Sequence, residues 1–235
     1  MLTDFILIQS ENALFPIFEY ITPKFNGNDY THKIVQITRY SYDSATGNVT
    51  FIINRGKKTN GNTVTLTYGL AKLNKQTKEL TVSNNPKDTF KVEYTFAGNT
   101  YNGENNHHYQ DICYSKTYGL LIPIWYNNAA PIRTAENNQN INNNCYNRIL
   151  IADISASLNN SNENKPAVKP KKIVIVNGKS DTYSKYELES LSIVTKDKDK
   201  KKLSKPMIVF SANAKDSKSD CDRLGMITNS SSILS

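Results

Sequence analysis

With 235 residues and a formal charge of +8 (29 Lys+Arg against 21 Asp+Glu), the chain is long enough to bury a substantial core and is electrostatically suited to polyanions. Three cysteines, Cys113, Cys145 and Cys221, leave room for one pair but exclude a disulfide framework, and no CxxC zinc spacing exists. No apolar run approaches the roughly 18 residues of a transmembrane helix, and the absence of GxSxG, HExxH, Walker and GxGxxG patterns disfavours serine-hydrolase and nucleotide chemistry.

Tyrosine, isoleucine, valine and threonine recur in short clusters between runs of asparagine, serine, glycine and lysine, the texture of strands separated by polar turns. The expected fold class is therefore all-β with antiparallel pairing, in one domain spanning 1–235. At the start, Asp4 stands where a secretion signal wants basic residues and the apolar run is only Phe5–Ile8. Without a signal, the chain as it stands is expected in the cytoplasm, or outside the cell if its native N-terminus lies upstream. The sequons at Asn48, Asn159 and Asn229 carry little weight in so asparagine-rich a chain.

Strands are expected at Phe5–Gln9 and Leu14–Thr22, the second closed by Pro23. Lys33–Tyr42 and Val49–Asn54 flank the turn Asp43–Asn48, and Thr63–Leu73 and Glu79–Val82 flank Asn74–Lys78. The layout then recurs. Tyr109–Tyr114, the turn Ser115–Gly119, Leu120–Tyr126, Arg148–Ile154 and Lys172–Asn177 make a second set; Tyr186–Thr195, Pro206–Ser211 and Arg223–Thr228 make a looser third, lacking its fourth strand. The repeats run approximately 33–82, 107–177 and 186–228. Their spacing exceeds the about 40–50 residues of a propeller blade, and two polar stretches, 127–147 and 155–171, read as the inserted surface loops that account for it.

The polar opening His107-His108-Tyr109-Gln110-Asp111-Ile112-Cys113-Tyr114, the Ser-Lys-Thr-Tyr-Gly turn and Arg148–Ile154, with Asp153 at its end, resemble a blade of bacterial β-propeller repeat proteins. These are the poorly characterised extracellular and teichoic-acid-associated type; Tyr186–Ile193 resembles the opening strand of the next blade. The resemblance covers roughly 33–228 and implies a partial propeller, since about three blades are visible and closed propellers have 4–8. Further blades or a partner chain are then expected.

In such a blade the polar opening lines a central channel, so the resemblance implies a ligand-binding set of His107, His108, Gln110 and Asp111 converging with Glu187 and Glu189, with Trp125 as an exposed stacking surface. Glu187 and Glu189, two apart on a strand, are expected to point the same way at about 6.5–7 Å. The function expected is a non-enzymatic binding or scaffold module for a glycan, an anionic polymer or a protein. The alternative is a propeller-type glycan hydrolase or lyase using His107, His108, Asp111, Glu187 and Glu189. Nucleic acid, held by Lys200–Lys202 within a lysine-rich segment, is the weaker partner. Neither a cofactor nor a metal is implied: Asn213, Asp216, Asp220 and Asp222 are oxygen-rich but break the EF-hand pattern. Cys113 reads as a small core residue.

Overall fold

The structure, a computed structural model, describes residues 5–8, 17–20, 22–25, 28–29, 36–60, 63–77, 79–95, 107–109, 111–127, 145–160, 162, 164–176, 185–196, 202–215, 220–227 and 230–235. It is mostly strand, in sheets that do not close. In chain order, β1 (Phe5–Ile8) and β2 (Ile17–Tyr20) form a two-stranded antiparallel sheet. The next sheet contains β3 (Thr22–Phe25), β4 (Asn28–Asp29), β5 (Ile37–Tyr42), β6 (Val49–Asn60), β7 (Thr63–Leu73), β8 (Glu79–Val82) and β9 (Thr89–Thr95). The expected strand Leu14–Thr22 is thus divided: Ile17–Tyr20 pairs with β1, whereas Thr22–Phe25 runs parallel to β8, with Pro23 inside it.

Within this first large sheet, β5, β6 and β7 form an antiparallel meander, and β8 and β9 share the far edge of β7. The turns between them are built from side chains that imitate backbone. Asp43 Oδ1 accepts from the Ala45 N–H at 2.9 Å, and Asn74 Oδ1 accepts from Gln76 N–H at 2.8 Å and Thr77 N–H at 3.1 Å. A bulge between Asn54 and Gly56 turns Arg55 back across Gly69, from which its guanidinium reaches Ser83 O and Thr89 Oγ1. One cation thereby joins the ends of β8 and β9 on the β7 edge.

A second sheet contains β10 (His107–His108), β11 (Cys113–Ser115), β12 (Gly119–Asn127), β13 (Cys145–Ala152) and β14 (Lys172–Val176). Here β10 and β11 occupy successive stretches of one β12 edge, followed by β13 and β14. Pro123 falls in the interval that neither β10 nor β11 covers, the kind of ladder interruption at which a strand tolerates proline. A third sheet is the antiparallel meander of β15 (Lys185–Lys196), β16 (Lys202–Lys215) and β17 (Asp220–Ile227).

Alternation decides how the sheets pack. Val64, Leu66 and Tyr68 of β7, with Phe90, Val92 and Tyr94 of β9, meet Leu120, Ile122, Ile124, Leu150 and Ala152 of the second sheet. The intervening residues Leu121, Ile149 and Ile151 point the other way, against Leu188, Leu191 and Ile208 of the third. The second sheet is therefore buried on both faces, and its strands read as continuous apolar runs.

The stretch 155–171, expected as a surface loop, is docked along part of its length. Just before α1 (Ser155–Asn159), Asp153 Oδ1 accepts the Ser155 N–H at 3.0 Å, and Leu158 packs on the first core. Val168 bridges Val92 in parallel, donating to Lys91 O at 2.8 Å. At the C-terminal end, α2 (Ser230–Leu234) buries Leu234 between the second and third sheets, and Ser230 Oγ accepts the Ile208 N–H at 2.8 Å. Among the described residues no helix is long and apolar enough to cross a membrane.

Candidate functional site

Three sheet edges meet at one place. Among the described residues β5 pairs only with β6, β11 only with β12 and β15 only with β16, and their other edges surround a cleft of about 720 Å³. β11 lies between the other two and is tied to both. The Tyr114 N–H donates to Thr38 Oγ1 of β5 at 3.2 Å, and the Tyr40 and Tyr114 rings lie 5.1 Å apart at 40°. On the opposite side the carboxylate of Asp111 accepts the N–H of Leu191, and Cys113 Sγ accepts that of Ile193. Side chains thus take up two edge amides of β15 that would otherwise template another strand.

These contacts set the chemistry of the cleft. Burial pushes the Asp111 carboxyl up to about 6, although the amides of Ile112 and Leu191 favour its charged form. Burial raises the Cys113 thiol to about 11, so it is a neutral, partly buried thiol rather than a thiolate nucleophile. Tyr114 is also raised, by burial first and then by Tyr40 and Asp153. Arg39, Lys116, Ser192 and Thr195 complete the polar lining.

A separate polar group lies inside the first core. The Tyr94 and Tyr109 hydroxyls bond each other, Tyr68 donates to Gln36 Oε1 at 3.3 Å, and Lys57 Nζ stands 5.6 Å from the Tyr109 ring centre. Burial raises all three phenols, which keeps them protonated and suits them to structure rather than proton transfer.

Of the residues expected to form the site, Asp111 lines the cleft. Gln110 lies outside the described residues, as do the side chains of His107, His108, Trp125 and Glu187. Backbone register places His108 opposite Trp125 and Trp125 opposite Asn147, whose Oδ1 accepts the Leu188 N–H at 2.9 Å. His108, Trp125 and the Glu187–Glu189 stretch therefore share one end of the interface between the second and third sheets. That end is four residues along β12 from Leu121, the partner of Cys113, or about 13 Å. The partly buried Glu189 is the extra residue of a bulge between Leu188 and Ser190, so the alternation expected to give Glu187 and Glu189 a common face is interrupted there.

Lys200 and Lys201 lie outside the described residues, as does Asp216, whereas Asp220 and Asp222 belong to β17 rather than to a loop. Among the described residues no cluster of His, Cys, Asp or Glu is arranged to hold a metal. Tyr40, Thr38 and Arg39 had no signal of their own; each is one more polar or aromatic residue in a strand. Comparison with protein families, curated proteins and solved structures finds no match to this chain.

Proposed function

We propose that the chain is a propeller-like binding module and that it recognises a glycan through the cleft where β5, β11 and β15 meet. The propeller reading is supported by the order of the sheets. The second sheet has four strand positions, β10/β11–β12–β13–β14, the first contains the run β5–β6–β7–β8/β9 and is extended beyond β8 by β3 and β4, the third has β15–β16–β17, and each brings one strand of its leading edge to the cleft. These three sheets, the separate β1–β2 pair aside, fall short of a closed ring. The outer face of the third, with exposed Leu224 and Met226, is the open side.

The observation that carries the glycan reading is the partly exposed Tyr40–Tyr114 pair on the β5 side of the cleft, with Asp111 and the hydroxyls of Ser192 and Thr195 lining its β15 side. Aromatic faces supply apolar contact for a sugar ring, and fixed polar groups read its hydroxyls. A binding role is favoured over hydrolysis because Asp111 is the single carboxylate among the described lining residues. Glycoside hydrolysis usually needs two, about 5–9.5 Å apart.

The test is calorimetric titration with a panel of neutral, amino and acidic oligosaccharides, with wild type beside Tyr40→Ala and Tyr114→Ala. A saccharide that binds wild type should lose about tenfold in affinity with either variant, equivalent to about 1.4 kcal/mol. Unchanged affinity in both variants, or no saccharide bound, overturns the reading.

A further inference from the structure

At the edge of the first sheet away from β5, three stretches of chain enclose a second hollow of about 370 Å³. The connection between β8 and β9 supplies Asn84, the start of β9 supplies Thr89 and Lys91, and the docked stretch 164–169 supplies Asn164 and Lys165. The pairing of that stretch with β9 brings the two lysines to one place. Val168 N–H donates to Lys91 O at 2.8 Å, Glu93 N–H donates to Val168 O at 2.9 Å, and Lys165 Nζ donates to Lys87 O. Among the described residues no carboxylate lines the hollow. The described acids beside it are engaged: Asp88 accepts from Ser83 Oγ, and Glu93 from Lys169 Nζ and Thr65 Oγ1. Asp88 still acts on Lys165 as a charge, but burial outweighs it and lowers the ammonium. Across the sheet from Lys91 stand Thr67 and then Gly56, neither of them charged. Thr89 Oγ1 accepts from Arg55 Nη1 at 3.1 Å. A hydroxyl has one proton and two lone pairs, so Thr89 keeps its proton to donate, with a cation behind it.

We infer that this hollow is a second binding site, one for a phosphate group, in which Lys91 and Lys165 supply the charge and Thr89, Asn84 and Asn164 the neutral donors. A phosphate monoester carries about −1.5 to −2 at pH 7 and three strong acceptor oxygens, which suits two ammonium groups and donors arriving from three walls. A carboxylate brings one charge and two oxygens. The volume falls within the roughly 300–1,000 Å³ of small-molecule sites, so an esterified phosphate fits as well as the free ion. The net charge of +8 favours the approach of either. The site goes beyond the glycan reading and does not depend on it: β9 stands three strand positions from β5, about 14 Å.

The experiment titrates the protein with inorganic phosphate, glycerol 2-phosphate and acetate at pH 7.0 and constant ionic strength, read by residue-resolved amide shifts. Inorganic phosphate should move the amides of Asn84, Thr89, Lys91 and Lys165 together and bind about tenfold tighter than acetate. Lys91→Gln and Lys165→Gln should each weaken it about fivefold, whereas Lys75→Gln, the same charge change on the exposed turn after β7, should leave it within about twofold. Thr89→Val should also weaken it about fivefold and Thr89→Ser restore it, which separates the hydroxyl from the charge. Glycerol 2-phosphate binding tighter than inorganic phosphate supports an ester as the ligand, and the reverse order supports the free ion. Acetate matching phosphate, or Lys75→Gln weakening binding as much as the site variants, overturns the inference in favour of general charge attraction. Shifts confined to Tyr40, Tyr114 and Leu191 overturn it in favour of the cleft.

Discussion

In the unfolded chain the Asp111 carboxyl titrates near 3.8, and between β11 and β15 burial pushes it up to about 6. A group whose folded pKa is raised contributes stability fully present below the unfolded value and lost as pH rises through the folded one. A rise of about two units is worth roughly 3 kcal/mol. Asp43, Glu93 and Asp153 act in the opposite sense, held down by Thr46, Lys169 and Ser155 respectively, and lose their contribution as pH falls. All three remain in Asp111→Asn, so subtracting the variant's stability curve from that of wild type isolates Asp111. Urea unfolding from pH 8 to 4 should show the wild type gaining roughly 3 kcal/mol on the variant. Parallel curves would mean that Asp111 is not buried as charge at neutral pH. The cost of charging Asp111 is therefore incurred at neutral pH, and strongly perturbed carboxyls of this kind cluster at functional sites.

The turn between β11 and β12 tests how tightly one element is placed. Gly119 has φ of 94°, and a Cβ there would stand 2.4 Å from the Ala152 carbonyl oxygen at the end of β13. Gly119→Ala therefore meets both a strained backbone and a rigid acceptor, a change expected to cost about 2–4 kcal/mol. Since β11 leads into this turn, loss of the Tyr114 N–H to Thr38 Oγ1 contact should accompany it. Thermal melting combined with amide exchange at Tyr114 checks this, and an unshifted melt refutes the close approach. This turn was legible in advance because Ser-Lys-Thr-Tyr-Gly carries its own signal, as do the Asp43 and Asn74 turns; Thr63–Leu73 and Glu79–Val82 were delimited to the residue for the same reason. β9 was missed despite the inward alternation of Phe90, Val92 and Tyr94, because four strands already accounted for that repeat. β9 shares an edge with β8 instead of adding a new rank. The cleft was less legible still. Asp111 stood out as part of a polar opening, but Tyr40 gains its meaning only from Tyr114, which lies on a different sheet. Local pattern records alternation and turns; it does not record which free edges meet.

At the scale of the whole molecule, the second sheet decides whether the chain behaves as one unit. Leu150 faces the core shared with the first sheet, and its neighbour Ile151 faces the core shared with the third, both almost fully buried. If the cleft is a fixed site, its three walls must hold together, and they are connected mainly through β11–β13. Leu150→Ala and Ile151→Ala should then each cost about 2–5 kcal/mol and lower the midpoint of one and the same transition by roughly 5–15 °C. Tyr40 and Tyr114 in the first and second walls, and Leu191 in the third, should lose amide protection together in both variants. Calorimetry with residue-resolved exchange reads this directly. Two separated transitions, with Leu150→Ala moving one and Ile151→Ala the other, would mean that the third sheet can leave while the first two remain folded. In that case the cleft would be a site assembled by sheet docking, and ligand affinity would follow Ile151→Ala while remaining indifferent to exposed changes elsewhere on the third sheet.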